Sequence, residues 1–349
     1  MEQTAAIKTE HQIGNGMSRK EAQKIREQSM SKEELAYLRR KRLAEKVWPF
    51  LRFLILFGLC FVILYPLIFM ISSAFRDPAD MSDPTVMWIP RHLSLQPIKD
   101  VLKVMNFGPT LLNTLLLNIG CSLVQVVTCS LTGYGFARFK FKGKNLLFGI
   151  VIMMILVPSQ IILIPQYMQY MQFRYFDIFG LIKLITGDTL TLTDTPWTMY
   201  LPALTANGIR AGLMILIFRQ FFRGLPKELE DAAYLDGCGP LRTFAQIMVP
   251  NARSSFLTVF LFSVVWYWND YYVSSSFFTN NETIAMMVKN LNTQLNLFLF
   301  NDATVQVSIR EKIVWLEAGC LLSITPILIM YVFLQKYFTE GIERSGLVA

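Results

Sequence analysis

The chain has 349 residues, 53% of them hydrophobic and 17% charged, with a formal net charge of +8 and a mean hydropathy of +0.39. Soluble domains carry roughly a quarter charged residues, so this balance argues against one. The apolar residues are also clumped: 53–75, 104–137 and 145–173 contain no Asp, Glu, Lys or Arg. Each run meets the roughly 20 helical residues needed to cross a hydrocarbon core.

Residues 1–46 are polar, and their lack of a long apolar run is unlike a cleavable signal peptide. Ser31 and Glu34 are spaced as a capping box, followed by Leu35, Leu38 and Leu43 among basic residues. Two readings stay open here: a short amphipathic helix leading into the first span, or a solvated tail. Beyond it the apolar pattern predicts six spans, at about 50–74, 110–134, 146–169, 203–222, 255–279 and 314–336. Helices are expected, because backbone polar groups in lipid must be satisfied within the segment or by a closed barrel. The segments are too long and too continuously apolar for barrel strands. The expected fold is therefore all-α and polytopic.

Orientation follows from the basic residues. Residues 1–52 hold 12 Lys/Arg against 7 Asp/Glu, and 138–144 hold four basic residues and no acid. Both face the cytoplasm on this rule, and an even number of spans returns the C-terminus there too. The loops 76–107, 170–202 and 280–313 are near neutral, as expected on the outer side. Four of the five cysteines, Cys60, Cys121, Cys129 and Cys320, fall in predicted spans and Cys238 in a cytoplasmic loop, so no disulfide framework is expected. His11 and His92 lie outside the spans, which argues against a His-based proton relay.

Within the second span Thr114, Asn118, Ser122, Gln125, Cys129 and Thr132 recur at steps of three and four, one face of a helix. Such a face belongs against other helices or a watery cavity. Hydrogen bonding between helices is the first reading and lining a solute pathway the second. Pro158 and Pro165 bend or break the third span. Asp270 lies in the fifth span, after Trp268 and Asn269, and an intramembrane carboxylate should face inward with a partner; Arg210, at similar depth, is the candidate. Glu317 sits near the outer end of the sixth span, within reach of water.

The cytoplasmic segment 223–250 is the most strictly punctuated part of the chain. Pro226 can open a helix, Glu228 and Glu230 suit its positive N-terminal end, and Ala232 and Ala233 allow close approach of a partner. Gly237 and Gly239 permit a sharp turn, Pro240 restarts a helix and Pro250 ends it. The expectation is a helix–turn–helix between two spans, shaped as a knob for a socket on another protein.

These residues resemble a known family. Asp231, Ala232 and Ala233, then Asp236 and Gly237, then nine residues and Ile-Met-Val-Pro at 247–250 look like the EAA loop of ABC importer permeases. Asp231 replaces the usual Glu, Cys238 stands where Ala is usual, and Val249 replaces Leu. Further matches lie at 65–66 (Tyr-Pro), 72–75 (Ser-Ser-Ala-Phe), 113–114 (Asn-Thr), 134–138 (Tyr-Gly-Phe-Ala-Arg), 219–222 (Arg-Gln-Phe-Phe), 268–270 (Trp-Asn-Asp) and 335–341 (Gln-Lys-Tyr-Phe-Thr-Glu-Gly). Together they resemble the carbohydrate-uptake branch, and within it the maltose-permease G-type inner-membrane subunits. The extension 1–46 and the Thr-rich stretch 186–198 are not typical of those subunits.

The resemblance implies a type I importer permease fold over 47–349, N-in and C-in, in the bacterial cytoplasmic membrane. It implies a second homologous permease subunit, two ATPase subunits and an extracytoplasmic solute-binding protein as partners, with a sugar, an oligosaccharide, as substrate. No cofactor is expected on this chain; ATP and Mg belong to the ATPase, and no GxxxxGK[ST] segment occurs here. Asp231, Ala232, Ala233, Asp236, Gly237 and Pro250 are the expected coupling contacts. Asn113, Asn118, Gln125, Trp268, Asn269 and Asp270 supply amides and an aromatic face suited to a sugar pathway. Two other classes stay open: an importer permease for another solute, and an ion-coupled carrier using Asp270. An intramembrane enzyme lacks a nucleophile–base pair.

Overall fold

A computed structural model describes residues 31–82, 89–171, 191–280, 282–301 and 309–346. The Thr-rich stretch 186–198 falls partly outside them, as does most of the extension 1–46. The described residues are helical, with one isolated bridge between Arg76 and Leu93. The chain divides into two compact units, residues 1–68 and 69–349.

In the first unit the capping box forms reciprocally. The Ser31 amide donates to Glu34 Oε2 at 2.9 Å and the Glu34 amide to Ser31 Oγ at 3.3 Å. Helix α1 starts there and runs Lys32–Ala74, so residues 32–46 are continuous with the first span. Its apolar side chains between Val47 and Leu64 are exposed almost all round, which suits a helix whose surroundings are lipid or another apolar protein.

The second unit is organised around α3, Phe107–Arg138, preceded by α2, Gln96–Val104. The expected third span is two helices, α4 Lys144–Leu156 and α5 Ser159–Met171, meeting at 102°. Pro158 causes the break: the residue before a proline is driven out of the helical region, and Val157 is extended at φ −75°, ψ 122°. The fourth is α6, Trp197–Leu204, and α7, Ala211–Gly224, separated by 205–210. Ala206 and Arg210 there are left-handed, at φ 55° and 57°, and the Asn207 amide wraps back to the Pro202 carbonyl at 2.8 Å, a Schellman closure.

Loop 223–250 contains α8, Glu228–Leu235, and α9, Pro240–Asn251. The fifth span is α10, Arg253–Trp268, then a break at 269–271 and the short α11, Tyr272–Phe277. Helices α12, Ile284–Phe300, and α13, Ile309–Gly346, complete the chain. Six uninterrupted spans are therefore not what the described residues contain. Val47–Ala74, Phe107–Arg138 and Lys312–Gln335 are each long and apolar enough to cross a membrane, and up to five spans result if each bent pair counts as one.

Helix α3 packs against α7, α10 and α6. Its approach to α7 is close because Gly133 lacks a side chain: a Cβ there would lie 2.7 Å from Phe218 Cβ and 3.1 Å from the Ile215 carbonyl. Phe218, Phe222, Met248 and Val259 join α7, α9 and α10 in one buried cluster. A second gathers Val101, Met105, Leu291 and Ala318 from α2, α12 and α13.

Candidate functional site

The loop 223–250 is held to the bundle by a buried polar clasp. Tyr134 and Arg138 sit four residues apart on the last turns of α3, so both reach the same point. The Tyr134 hydroxyl donates to Glu230 Oε1 at 2.7 Å and Arg138 Nε pairs with Glu230 Oε2 at 3.1 Å. Arg138 Nη2 donates to the Leu225 carbonyl at 2.6 Å. The Arg138 and Glu230 side chains are 6% and 8% exposed, so the charges are both paired and withdrawn from water. The Tyr134 ring packs edge-on to Phe222 and tilted against Phe244, joining α3, α7 and α9 around the clasp.

Helix α8 ends in a full Schellman motif. The Cys238 amide reaches the Ala233 carbonyl at 2.9 Å and the Gly237 amide the Tyr234 carbonyl at 3.1 Å. Gly237 is left-handed at φ +77°, so glycine is required there by conformation. Gly239 is extended, at φ −76° and ψ 166°, and has no such requirement. Residues 244–248 form a turn of π-helix. Pro250, two residues beyond, has no N–H to offer and its ring crowds the preceding turn, and the wider turn accommodates both. The Asn251 side chain donates to the Ile247 carbonyl at 2.7 Å. The chain then bends by 83° into α10.

Of the expected coupling residues, Asp231, Ala232, Asp236, Gly237 and Pro250 are exposed. Ala233 is not: it is 4% exposed. It shares its face with Glu230 three residues earlier, the anchor that sequence reasoning missed. That i, i+3 spacing, with an acid inside an otherwise apolar face, was the available signal. Sequence reasoning also missed the two most prominent apolar side chains of the tip, Leu235 at 89% and Leu241 at 76% exposure.

The expected pathway residues are drawn into interhelical hydrogen bonds. Asn113 Nδ2 donates to the Glu282 carbonyl at 2.9 Å, and Asn118 Nδ2 to the Val264 carbonyl at 2.9 Å. Gln125 Nε2 donates to the Ile209 carbonyl at 2.7 Å while its Oε1 accepts from the Tyr267 hydroxyl at 2.5 Å. A Cβ at Gly208 would overlap both of those groups. Trp268 is buried, and its Nε1 donates to the Ser323 carbonyl at 3.2 Å. Asn269 is exposed and bonds back to Val265 within α10.

Asp270 caps α11: its carboxylate accepts from the Ser274 amide and hydroxyl, at 2.8 and 2.9 Å, and from the Val273 amide at 3.3 Å. These groups, and not the exposed Arg210, are its partners. Among the described residues no group of His, Cys, Asp and Glu could hold a metal ion.

Comparison with known proteins places the architecture. A family model described as "Binding-protein-dependent transport system inner membrane component" matches residues 129–344, which include the clasp, loop 223–250 and α10. The arabinooligosaccharides transport system permease protein AraQ of Halalkalibacterium halodurans is 25% identical over 307 residues, 86% of this chain and 98% of that protein. The maltodextrin transport system permease protein MdxG of Bacillus subtilis is 28% identical over 301 residues, covering 84% and 94%. A crystal structure of a bacterial ABC transporter involved in the import of the acidic polysaccharide alginate shares the fold, with a TM-score of 0.64 at 20% identity over 84% of this chain and 98% of that one. The chain belongs to the family of binding-protein-dependent transport system inner membrane components, membrane permease subunits that are parts of a transporter and not enzymes.

Proposed function

We propose that this permease serves an ATP-driven importer of a sugar, an oligosaccharide, and that loop 223–250 couples it to separate ATPase subunits. The observation that carries the coupling is the contrast between the loop's two sides. Its base is clasped through Glu230, while its tip presents Leu235 and Leu241 to solvent beside Asp231 and Asp236. An apolar pair rimmed by charge is the composition of a docking knob, and the clasp makes the knob move with α3 and α7. The sugar assignment rests on the named substrates of AraQ and MdxG.

On this reading the chain forms half of a translocation pathway with a second homologous permease, and an extracytoplasmic binding protein delivers the solute. ATP and Mg act on the ATPase subunits, and this chain holds no cofactor of its own. The spans lie N-in and C-in, with loops 138–144 and 223–250 on the cytoplasmic side. Their shared end of the bundle, joined through Arg138, supports that orientation. The capping bonds of Asp270 favour a structural carboxylate over an ion-coupling one.

The test replaces the tip and spares the base. Leu235→Asp with Leu241→Asp changes two exposed side chains, so the chain should assemble in the membrane at the wild-type level. Copurification of the ATPase, stimulation of hydrolysis by loaded binding protein, and uptake should all fall. Unchanged stimulation and uptake in that double variant would show that the knob is not the coupling contact. Binding assays of sugars to the partner binding protein check the substrate class.

A further inference from the structure

A second charged feature lies at the same end of the bundle and takes no part in the clasp. Lys140, Lys142 and Lys144 follow α3, and Arg219 and Arg223 end α7. Helices α4 and α7 touch closely, since a Cβ at Gly212 would lie 2.9 Å from the Val151 carbonyl, and this brings the two basic sets together. The charges of Arg219, Arg223 and Lys140 all act on the Lys144 ammonium. Arg219 lies over the Phe148 ring at 3.9 Å, with its Nε buried and without a hydrogen-bond partner among the described residues. Lys144 Nζ donates to the Phe139 carbonyl at 2.8 Å.

Four cations, Lys140, Lys144, Arg219 and Arg223, act on one another here, and the Arg–carboxylate ion pair of Arg138 with Glu230 leaves all four out. Self-repulsion of this kind weakens a fold unless an anion is supplied from outside. The surface beside the cluster says what kind of anion. Leu146, Ile150 and Met153 of α4 are exposed in a line leading away from it, and Phe139 and Phe141 alternate with the lysines. Charge at the rim, aromatics at the boundary and a bare apolar helix beyond match the profile of one lipid molecule at a leaflet surface.

We propose that the basic cluster formed by residues 140–144 and the end of α7 binds the phosphate headgroup of an anionic membrane lipid, whose acyl chains lie along α4. Bound lipid neutralises the cluster and fixes α4 against α7 at the end of the bundle where loop 223–250 is held. The site stands independently of the transported solute.

The full chain, purified with its copurifying subunits in detergent, is titrated with phosphatidylglycerol and separately with phosphatidylcholine, and bound lipid is counted by native mass spectrometry. Phosphatidylglycerol should bind the more tightly. Combined Lys140→Gln, Lys144→Gln and Arg223→Gln should weaken it on the order of a hundredfold, at about 1 kcal/mol per basic residue near the surface, and leave phosphatidylcholine unchanged. If the triple variant fails to assemble, the exposed Arg223→Gln alone should give about a fivefold loss by the same reckoning. Equal binding of the two lipids, or undiminished phosphatidylglycerol binding in the variants, would overturn the site. Displacement of the lipid by millimolar inorganic phosphate would also overturn it, by identifying a soluble-anion site instead.

Discussion

The hydroxyl of Tyr134 meets the carboxylate of Glu230 at 2.7 Å across 96 positions of sequence, and with Arg138 on the same carboxylate it forms the joint between α3 and α8. Removing one partner of a buried ion pair leaves the other charge uncompensated, which costs about 3 kcal/mol or more. Glu230→Ala should therefore destabilise the loop by about that amount, while Glu230→Gln, which still accepts from Tyr134, costs less. Thermal unfolding of the purified chain, with proteolysis at loop 223–250 as a local readout, measures the difference.

Two glycines of the same turn should behave in opposite ways. Gly237→Ala puts a side chain into the left-handed region, at a cost of about 1 kcal/mol, and frays the C-terminal end of α8. Gly239→Ala meets nothing within 4 Å and has an ordinary φ of −76°, so its stability should stay within error of wild type. Paired melting curves separate the two.

A second glycine contrast tests the packing of α3. Gly133→Ala would press a methyl group against Phe218 Cβ and the α7 backbone, and overpacking of this kind costs about 1–3 kcal/mol. Gly135→Ala, two residues along the same helix, meets nothing within 4 Å and should stabilise by about 0.5 kcal/mol through reduced chain entropy. Equal effects on the melting temperature would contradict the close α3–α7 contact.

The contacts of Asp80 with Arg91 and His92 should respond to acid. The Asp80 carboxyl is held below its ordinary value of 3.8, first by the hydrogen bond with the His92 ring and then by the His92 amide. A depressed carboxylate contributes stability that is fully present above its unfolded value and is lost as pH falls through the native one. Hydrogen exchange at the Arg91 and His92 amides, both donors to Asp80 Oδ2, should therefore stay protected down to about 3.8 and lose protection below it. His92→Ala should move that loss to higher pH.

Composition and hydropathy make the membrane class legible, and the residues at 231–250 make the family legible, because both depend on residue type and spacing. The course of the chain was less accessible. A hydropathy window sums over residues without regard to direction, so it gives 146–169 as one span although Val157 turns the chain by 102° ahead of Pro158. Nothing in the composition of 203–222 marks Ala206 and Arg210 as left-handed. The polar stripe of α3 shows the same limit: Asn118 and Gln125 read as well for a solute as for a neighbouring helix. Only the positions of the Val264 and Ile209 carbonyls distinguish the two.

Helix α3 is a single rod of 32 residues, about 48 Å long at 1.5 Å per residue. One end carries the clasp on Glu230; near the other, Thr114 accepts from the Ile284 amide at 2.9 Å. It is thus a lever arm with a fixture at each end. A tilt of about 5° imposed at the clasp would carry the far end by about 4 Å, more than the slack in any hydrogen bond. A small displacement of α8 is therefore enough to shear the contacts on the opposite side of the bundle.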